Sequence, residues 1–266
     1  MPRMMTDTNM ETGKIGGAQA FQFSATRIEH LGATEYTLVT IVVDVTGSVE
    51  DFVDELHKCL VTAVESCKKS PRSNNLLLRV VLFSTSQQPS GLNEIHGFKP
   101  LGEIDTDQYP VFLRYRDPVP NNKPYVKMYG STNLYDAVFS GVGATNTYAK
   151  KLMSQDFLAN GIVFVITDGD DNSSSVTMRM IREEMDRATK GEEIESLVGI
   201  LIGVNAMQYA PELDKFAKTS GLKFIDAGEA TKGKLAKLAE FVSQSVSSQS
   251  QSLGTGGPSQ NISATI

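Results

Sequence analysis

The sequence predicts an α/β fold with an open, doubly wound and mostly parallel sheet flanked by helices. Several apolar runs are rich in β-branched residues and show no polar alternation, which is typical of strands buried on both faces. Amphipathic segments separate these runs, and such alternation produces right-handed crossovers that cover both faces of a sheet. The chain has 266 residues, 40% of them hydrophobic, and is therefore long enough to bury a large core.

The first predicted strand is residues 36–43 (YTLVTIVV), an apolar run with β-branched side chains. A helix follows it, because apolar residues repeat at intervals of three and four from Val49 to Val64. The later strands are predicted at 76–83, 161–167, 196–204 and, as a short edge strand, 222–225. The later helices are predicted at 134–153, 178–190, 210–220 and 232–242.

We divide the chain into three parts. Residues 1–34 have weak periodicity and are predicted to be a partly disordered N-terminal arm, with room for one added strand at 20–28. Residues 35–245 form the predicted domain, with a long insertion at 84–129 where proline, glycine and asparagine leave room only for short hairpins or one brief helix. Residues 246–266 are mostly Ser, Gln and Gly, which predicts a disordered tail.

Composition excludes several classes of protein. A net charge of −6 without clustered Lys and Arg argues against nucleic-acid binding. No apolar stretch is long enough to span a membrane, and no secretory signal is present, so we expect a cytoplasmic protein. The three histidines are scattered and the two cysteines lie in one helix, so a zinc site is not expected.

Oxygen-bearing side chains cluster at the ends of predicted strands. Asp44, Thr46 and Ser48 follow the first strand, Asp168 follows the strand at 161–167, and Thr132 precedes a helix. Because the carboxyl ends of parallel strands meet at one sheet edge, these side chains are expected to converge there. Hydroxyl and carboxylate oxygens suit a hard divalent cation. Helix and turn capping without a metal is the alternative, since the same residue types favour caps.

These segments resemble the metal-ion-dependent adhesion site (MIDAS) of von Willebrand factor type A (VWA) domains. That motif has the pattern D-x-S-x-S, a distant T, and a distant D in a T-D-G context; here the elements are DVTGS at 44–48, Thr132 and Asp168. The resemblance covers roughly 36–242. It implies that Thr46, Ser48 and Thr132 reach the metal through hydroxyls, while Asp44 and Asp168 act directly or through water. Thr46 stands where the family usually has Ser.

The resemblance implies a non-catalytic protein-interaction module of the intracellular type, an adaptor or assembly factor that docks a partner's acidic residue on the metal. An AAA+ ATPase is one partner that it implies. We expect Mg²⁺ as the ion, with Mn²⁺ and Ca²⁺ as alternatives. The three segments contain no His, Lys or Cys that would act as a base or nucleophile. The competing hypothesis is a metal-dependent hydrolase or phosphatase that uses Asp44.

Two further expectations concern the surroundings of this site. The residues Asp170, Asp171 and Asn172 are either acceptors that support the site or a helix-initiating acidic turn. The insertion at 84–129 flanks the same sheet edge, so we expect it to set the choice of partner, with a merely decorative role as the alternative.

Overall fold

The computed structural model describes residues 9–16, 21–190 and 194–255, which form ten strands and five helices. The strands are β1 (Met10–Ile15), β2 (Phe21–Thr26), β3 (Glu35–Asp44), β4 (Leu76–Phe83), β5 (Leu92–Pro100), β6 (Val111–Leu113), β7 (Tyr125–Lys127), β8 (Leu158–Thr167), β9 (Leu197–Val204) and β10 (Lys223–Gly228). The helices are α1 (Val53–Lys68), α2 (Leu134–Met153), α3 (Met178–Lys190), α4 (Ala210–Ser220) and α5 (Lys232–Gly254).

Eight strands form one mixed sheet in the order β1-β2-β5-β4-β3-β8-β9-β10. The strands β4, β3, β8, β9 and β10 are parallel to one another, whereas β5 is antiparallel to β4 and β1 is antiparallel to β2. The predicted α/β class with a mostly parallel sheet is confirmed. Within the described residues, no helix is long and apolar enough to cross a membrane.

The central strand β3 is buried on both faces, which explains its uninterrupted apolar sequence. Val39, Ile41 and Val43 belong to a hydrophobic cluster that also contains residues of α1 and α5. Leu38 and Val42 belong to a second cluster, on the opposite face, with residues of α2, α3 and α4. Each fully buried aliphatic side chain contributes about 1.5–3 kcal/mol, so the two clusters hold the sheet between its helical layers.

The N-terminal region contains two strands where a partly disordered arm was predicted. Met10–Ile15 and Phe21–Thr26 are strands that extend the sheet, and Ile15 and Phe23 are buried in the cluster that contains α2. The expected added strand corresponds to β2, but β1 was not expected, because it is short and its four central residues, Glu-Thr-Gly-Lys, show no apolar pattern. Residues 1–8 and 17–20, which are also part of the predicted arm, lie outside the described residues.

The insertion at 84–129 also contains more strand than predicted. β5 joins the main sheet beside β4, while β6 and β7 pair in parallel as a separate two-stranded sheet. The sequence of β5 hides a strand because it is polar on one face, contains Gly97 and ends at Pro100. Gly97 is needed there, since a Cβ at this position would lie 1.9 Å from the carbonyl oxygen of Ser24 on β2.

The predicted disordered tail is wrong for residues 246–254, which continue α5. Val246 is fully buried, and Arg72 Nε donates to Ser250 Oγ over 3.0 Å. Asn160 Nδ2 on β8 donates to the Gln249 carbonyl oxygen over 2.9 Å. Tertiary packing of the helix therefore overrides a serine- and glutamine-rich composition. Residues 256–266 lie outside the described part of the chain.

We predict that a chain ending at residue 246 is less stable than one ending at residue 255. The shorter chain leaves the buried Asn160 amide without its acceptor, which costs about 1–3 kcal/mol. A loss of that size lowers the melting temperature of a domain this large by about 2 °C or more. Thermal unfolding of the two truncated chains measures the difference, with the full-length chain as reference. Equal melting temperatures would show that the end of α5 contributes nothing.

His96 on β5 is held in its neutral form by its surroundings. Burial, helped by the charge of Lys99, lowers the pKa of His96 to about 4, although the hydrogen bond to Gly97 and the charge of Glu94 act in the opposite direction. Its Nδ1 lies 2.9 Å from the Gly97 carbonyl oxygen, and its Nε2 lies 2.7 Å from the Tyr109 hydroxyl. Because a carbonyl only accepts, Nδ1 carries the proton and Nε2 accepts from Tyr109.

Since the unfolded chain binds this proton near the usual pKa of 6.5, protonation of His96 favours unfolding. Its contribution is complete above pH 6.5 and is lost as the pH falls toward 4, by up to about 3 kcal/mol. We predict that His96→Gln reduces the acid-dependent loss of unfolding free energy over this range, measured by urea denaturation. The exposed His30, changed to Gln, is the control. Parallel pH curves for wild type and His96→Gln would contradict the prediction.

Candidate metal centre

The site begins where β3 ends. Asp44 is the last residue of β3 and has no exposed surface, and its Oδ1 accepts from the Thr46 backbone N–H over 2.9 Å. Val45 turns inward, with its N–H donating to the Phe83 carbonyl of the neighbouring strand over 3.0 Å. The chain then enters a 3₁₀ turn, Gly47–Phe52, which leaves Ser48 exposed.

A chain of hydrogen bonds links this turn to the end of β8. The Ser48 hydroxyl donates to Asp168 Oδ1 over 2.7 Å, and the Thr46 hydroxyl lies 2.9 Å from Ser48 Oγ. Because the single Ser48 proton points at the carboxylate, Thr46 is the donor to Ser48. Four of the five predicted ligands, Asp44, Thr46, Ser48 and Asp168, are thus joined at one sheet edge.

Thr167 is a member of the site that the sequence did not single out. Its hydroxyl donates to Asp44 Oδ2 over 2.7 Å, so both carboxylate oxygens of Asp44 accept hydrogen bonds from the protein. The reason lies in the register of the sheet, in which Val43 pairs with Ile166. The next residues along each strand are therefore neighbours. The T-D-G context contains this threonine, but only the strand register reveals its partner.

Thr132, the fifth predicted ligand, lies at the same edge on the loop before α2. Its backbone N–H donates to Asn172 Oδ1 over 2.9 Å, and its carbonyl accepts from the Asn172 N–H over 3.0 Å. Among the described residues its hydroxyl has no hydrogen-bond partner, and it makes no direct hydrogen bond to the other four predicted ligands. Gly130 permits the loop to turn, since its φ is +93° and a Cβ would lie 2.5 Å from Ser84 Oγ.

Asp171 and Asn172, which follow Asp168, hold the N-terminus of α2 and the loop before it. Asn172 accepts a hydrogen bond from the Thr132 backbone N–H, which agrees with the expectation that this segment supports the site. Asp171 does not initiate a helix, because α3 begins only at Met178. Instead, its Oδ1 accepts from the Tyr135 backbone N–H over 3.2 Å and so caps the N-terminus of α2. The loop thereby fixes α2, and the Thr132 segment in front of it, against the end of β8.

The site holds uncompensated negative charge. Burial and, to a smaller extent, the charge of Asp168 raise the pKa of Asp44 to about 7, although hydrogen bonds from Thr46 and Thr167 act in the opposite direction. Burial also raises the pKa of Asp168. None of the described Lys, Arg or His side chains forms an ion pair with either carboxylate. Two buried like charges of this kind are costly unless a cation neutralises them.

The donor set fits a hard divalent cation. It consists of hydroxyl and carboxylate oxygens, the ligands that Mg²⁺, Mn²⁺ and Ca²⁺ accept. Softer metals are not favoured, since the five site residues include no His or Cys. Within residues 9–16, 21–190 and 194–255 no group of three or more His, Cys, Asp or Glu side chains is placed to hold a metal, so the hydroxyl oxygens are needed to complete this site. The two carboxylates lack a positive partner, and the free Thr132 hydroxyl adds an acceptor beside them.

Comparisons with known proteins support the fold. The chain resembles the pilus adhesin SpaC from Lactobacillus rhamnosus GG, with a TM-score of 0.58 and 10% identity over 90% of this chain and 34% of SpaC. It also resembles the PilB minor pilin from Streptococcus sanguinis, with a TM-score of 0.52 and 16% identity over 91% of this chain and 68% of PilB. The chain therefore spans about a third of the first of these proteins.

A weaker likeness joins the chain to proximal thread matrix protein 1 from the mussel byssus, in a structure with a zinc-occupied MIDAS motif. Its TM-score is 0.46, with 15% identity over 82% of this chain and 47% of that protein, and a likeness at that level supports no conclusion. No protein-family model and no curated protein matches the sequence. At these identities the structural matches show a shared fold and nothing about ligands.

We predict that Asp44→Asn raises stability without divalent ions and removes stabilisation by Mg²⁺. The amide fits, because the Thr167 hydroxyl is free to accept from it and to donate instead to the Gly169 carbonyl, 3.1 Å away. Neutralising one of two buried like charges relieves their repulsion. Thermal unfolding with MgCl₂ and with EDTA measures both effects.

The control for this experiment is Asp156→Asn, which makes the same charge change at an exposed residue whose φ of 61° also suits Asn. This control should keep the wild-type shift in melting temperature on adding Mg²⁺. Retention of the full Mg²⁺ shift by Asp44→Asn would remove Asp44 from the metal site.

Proposed function

We propose that this chain is a non-catalytic protein-interaction module that binds a partner through a divalent metal ion. One observation carries the proposal: the Asp44 and Asp168 carboxylates are buried beside each other without a described cation, and three hydroxyl side chains surround the same edge. A binding site for a cation explains this arrangement. Capping of a turn or helix does not explain this arrangement, because a cap requires only one carboxylate and not a second one buried beside it.

Mg²⁺ is the ion we propose, because oxygen ligands and retained water suit its octahedral coordination. Ser48, Thr46 and Thr132 would hold it through their hydroxyls, with Asp44 and Asp168 supplying charge directly or through water. When bound, the ion would offer a coordination position to a carboxylate from the partner. The hydrogen bonds from Thr46 N–H and Thr167 keep Asp44 oriented toward this edge.

A non-catalytic role is supported by how Asp44 is held. Both of its oxygens accept short hydrogen bonds and its side chain has no exposed surface, whereas an attacking carboxylate needs an oxygen free to reach the substrate. Asp44 is better placed to orient the site than to form a covalent bond. The hydrolase alternative predicts Mg²⁺-dependent turnover of p-nitrophenyl phosphate that disappears in Asp44→Asn, and this assay distinguishes the two hypotheses.

Membership of the VWA family is part of this proposal and rests on the three sequence segments together with their convergence in the structure. One of the proteins with the same fold is a pilus adhesin, a name that agrees with a role in binding. The adaptor role, the cytoplasmic location and an AAA+ ATPase partner stay predictions from the sequence resemblance.

We predict that capture of partner proteins depends on the Thr132 hydroxyl as well as on Mg²⁺. Thr132→Val keeps the side-chain shape and breaks no hydrogen bond among the described residues, so the fold should not change. Affinity capture with mass spectrometry should lose the same proteins in Thr132→Val and in wild type with EDTA. The control is Thr219→Val, an exposed threonine on α4. An identical set of captured proteins in all samples would contradict the proposal.

A further inference from the structure

Three exposed tyrosines lie beside the candidate metal centre. Tyr115, Tyr125 and Tyr129, which we call the tyrosine wall, are 58%, 45% and 44% exposed. They line an open groove of about 420 Å³, together with the amide side chains of Gln87 and Asn93. Exposed aromatic side chains grouped around a groove are typical of a protein-binding surface rather than of an ordinary solvent-facing loop.

The tyrosine wall is attached to both loops of the metal centre. The Tyr129 carbonyl accepts from the Ser86 hydroxyl over 2.9 Å, and Tyr129 is followed directly by the turn that leads to Thr132. On the other side, the Tyr115 N–H donates to Glu50 Oε1 over 2.6 Å, two residues after Ser48. The tyrosine wall therefore adjoins the loops that carry Ser48 and Thr132.

The wall is ordered by its own contacts. The rings of Tyr115 and Tyr129 lie 5.6 Å apart at 56°, a tilted geometry that is favourable for aromatic pairs. Lys127 Nζ donates to the carbonyl oxygens of Tyr115 and Asp117, each over 2.6 Å, and fixes the segment between β6 and β7. A partner that packs on these rings would thus lose little additional side-chain entropy.

Positive charge is concentrated in the same segment. Arg116, Lys123 and Lys127 form no ion pair with a carboxylate of the described residues. The protein as a whole has a net charge of −6, so this local excess of cations runs against its overall charge. Complementarity therefore favours an acidic partner at this surface.

We propose that the tyrosine wall and these three cations bind an extended, acidic segment of a partner protein that packs an aromatic or aliphatic side chain on the tyrosines. The inference rests on the proposed function, because one carboxylate of the same segment would reach the metal. It adds the chemistry of the partner, which the metal centre alone does not specify. The insertion at 84–129 is then the element that selects the partner.

Selection of a phage-displayed library of random 12-residue peptides on the full chain, in MgCl₂, tests this proposal. We expect the recovered peptides to be enriched in Asp and Glu together with Phe, Tyr, Leu or Ile. Recovery of no peptide, or of peptides without this enrichment, would overturn it. The affinity of the recovered peptides is then measured by fluorescence anisotropy.

Two variants of the wall are compared in that assay. Tyr115→Ser combined with Tyr129→Ser removes two of the three rings of the wall, and Arg116→Glu combined with Lys123→Glu reverses the charge of two of its cations. Each should weaken binding about tenfold or more. Lys223→Glu combined with Lys237→Glu makes the same change in net charge at exposed lysines elsewhere, and it should leave binding unchanged. All six of these side chains are exposed, and the melting temperature of each variant checks that it folds.

The two proposals fail in distinguishable ways. If EDTA abolishes binding but the wall variants bind like wild type, the metal centre stands and the wall is excluded. If the wall variants lose binding but EDTA and Asp44→Asn have no effect, the acidic segment binds the wall without a metal and the proposed function is wrong. A dimer in analytical ultracentrifugation that dissociates in the tyrosine variant would show that a second copy of the chain occupies the wall, which also overturns this inference.

Discussion

The parallel register of β3 and β8 is the constraint on which the site depends. Pairing of Val43 with Ile166 places Asp44 next to Thr167, and the following residue brings the second carboxylate to the same edge. A shift of one residue would turn Asp44 to the other face of the sheet. The register is itself fixed by the apolar side chains on both faces, so the hydrophobic core and the charged site are specified together.

The loops around this edge hold one another in place through hydrogen bonds. The segment after β8 caps α2 through Asp171 and holds the Thr132 loop through Asn172. The turn after β4 contacts the same loop, since the Thr85 N–H donates to the Ser131 carbonyl over 3.0 Å. Thr132 is thus held by backbone contacts from two sides while its hydroxyl stays free. The loop is therefore anchored by its backbone, and the Thr132 hydroxyl oxygen is left available to bind a ligand.

The sequence predicts those parts of the structure whose pattern is local. Strands buried on both faces and the five helices are recognisable from apolar runs and periodicity, and the site residues from their position after strands. β5 is missed because one of its faces is polar. The end of α5 is missed because its composition resembles a disordered segment, although it contacts Arg72 and Asn160 on β8. The role of Thr167 and the tyrosine wall depend on register and tertiary placement, which single-sequence patterns do not encode.

Charge explains why binding at this edge would require the metal. An acidic segment approaching without an ion meets two buried carboxylates, and like charges placed together at an interface cost several kcal/mol. A bound divalent cation would offset both carboxylates, and Arg116, Lys123 and Lys127 would then be free to attract the acidic segment. The wall would therefore attract an acidic partner, whereas the two carboxylates without a metal ion would repel it. In the proposed complex the ion would decide between the two effects, although it would contact only one carboxylate of the partner.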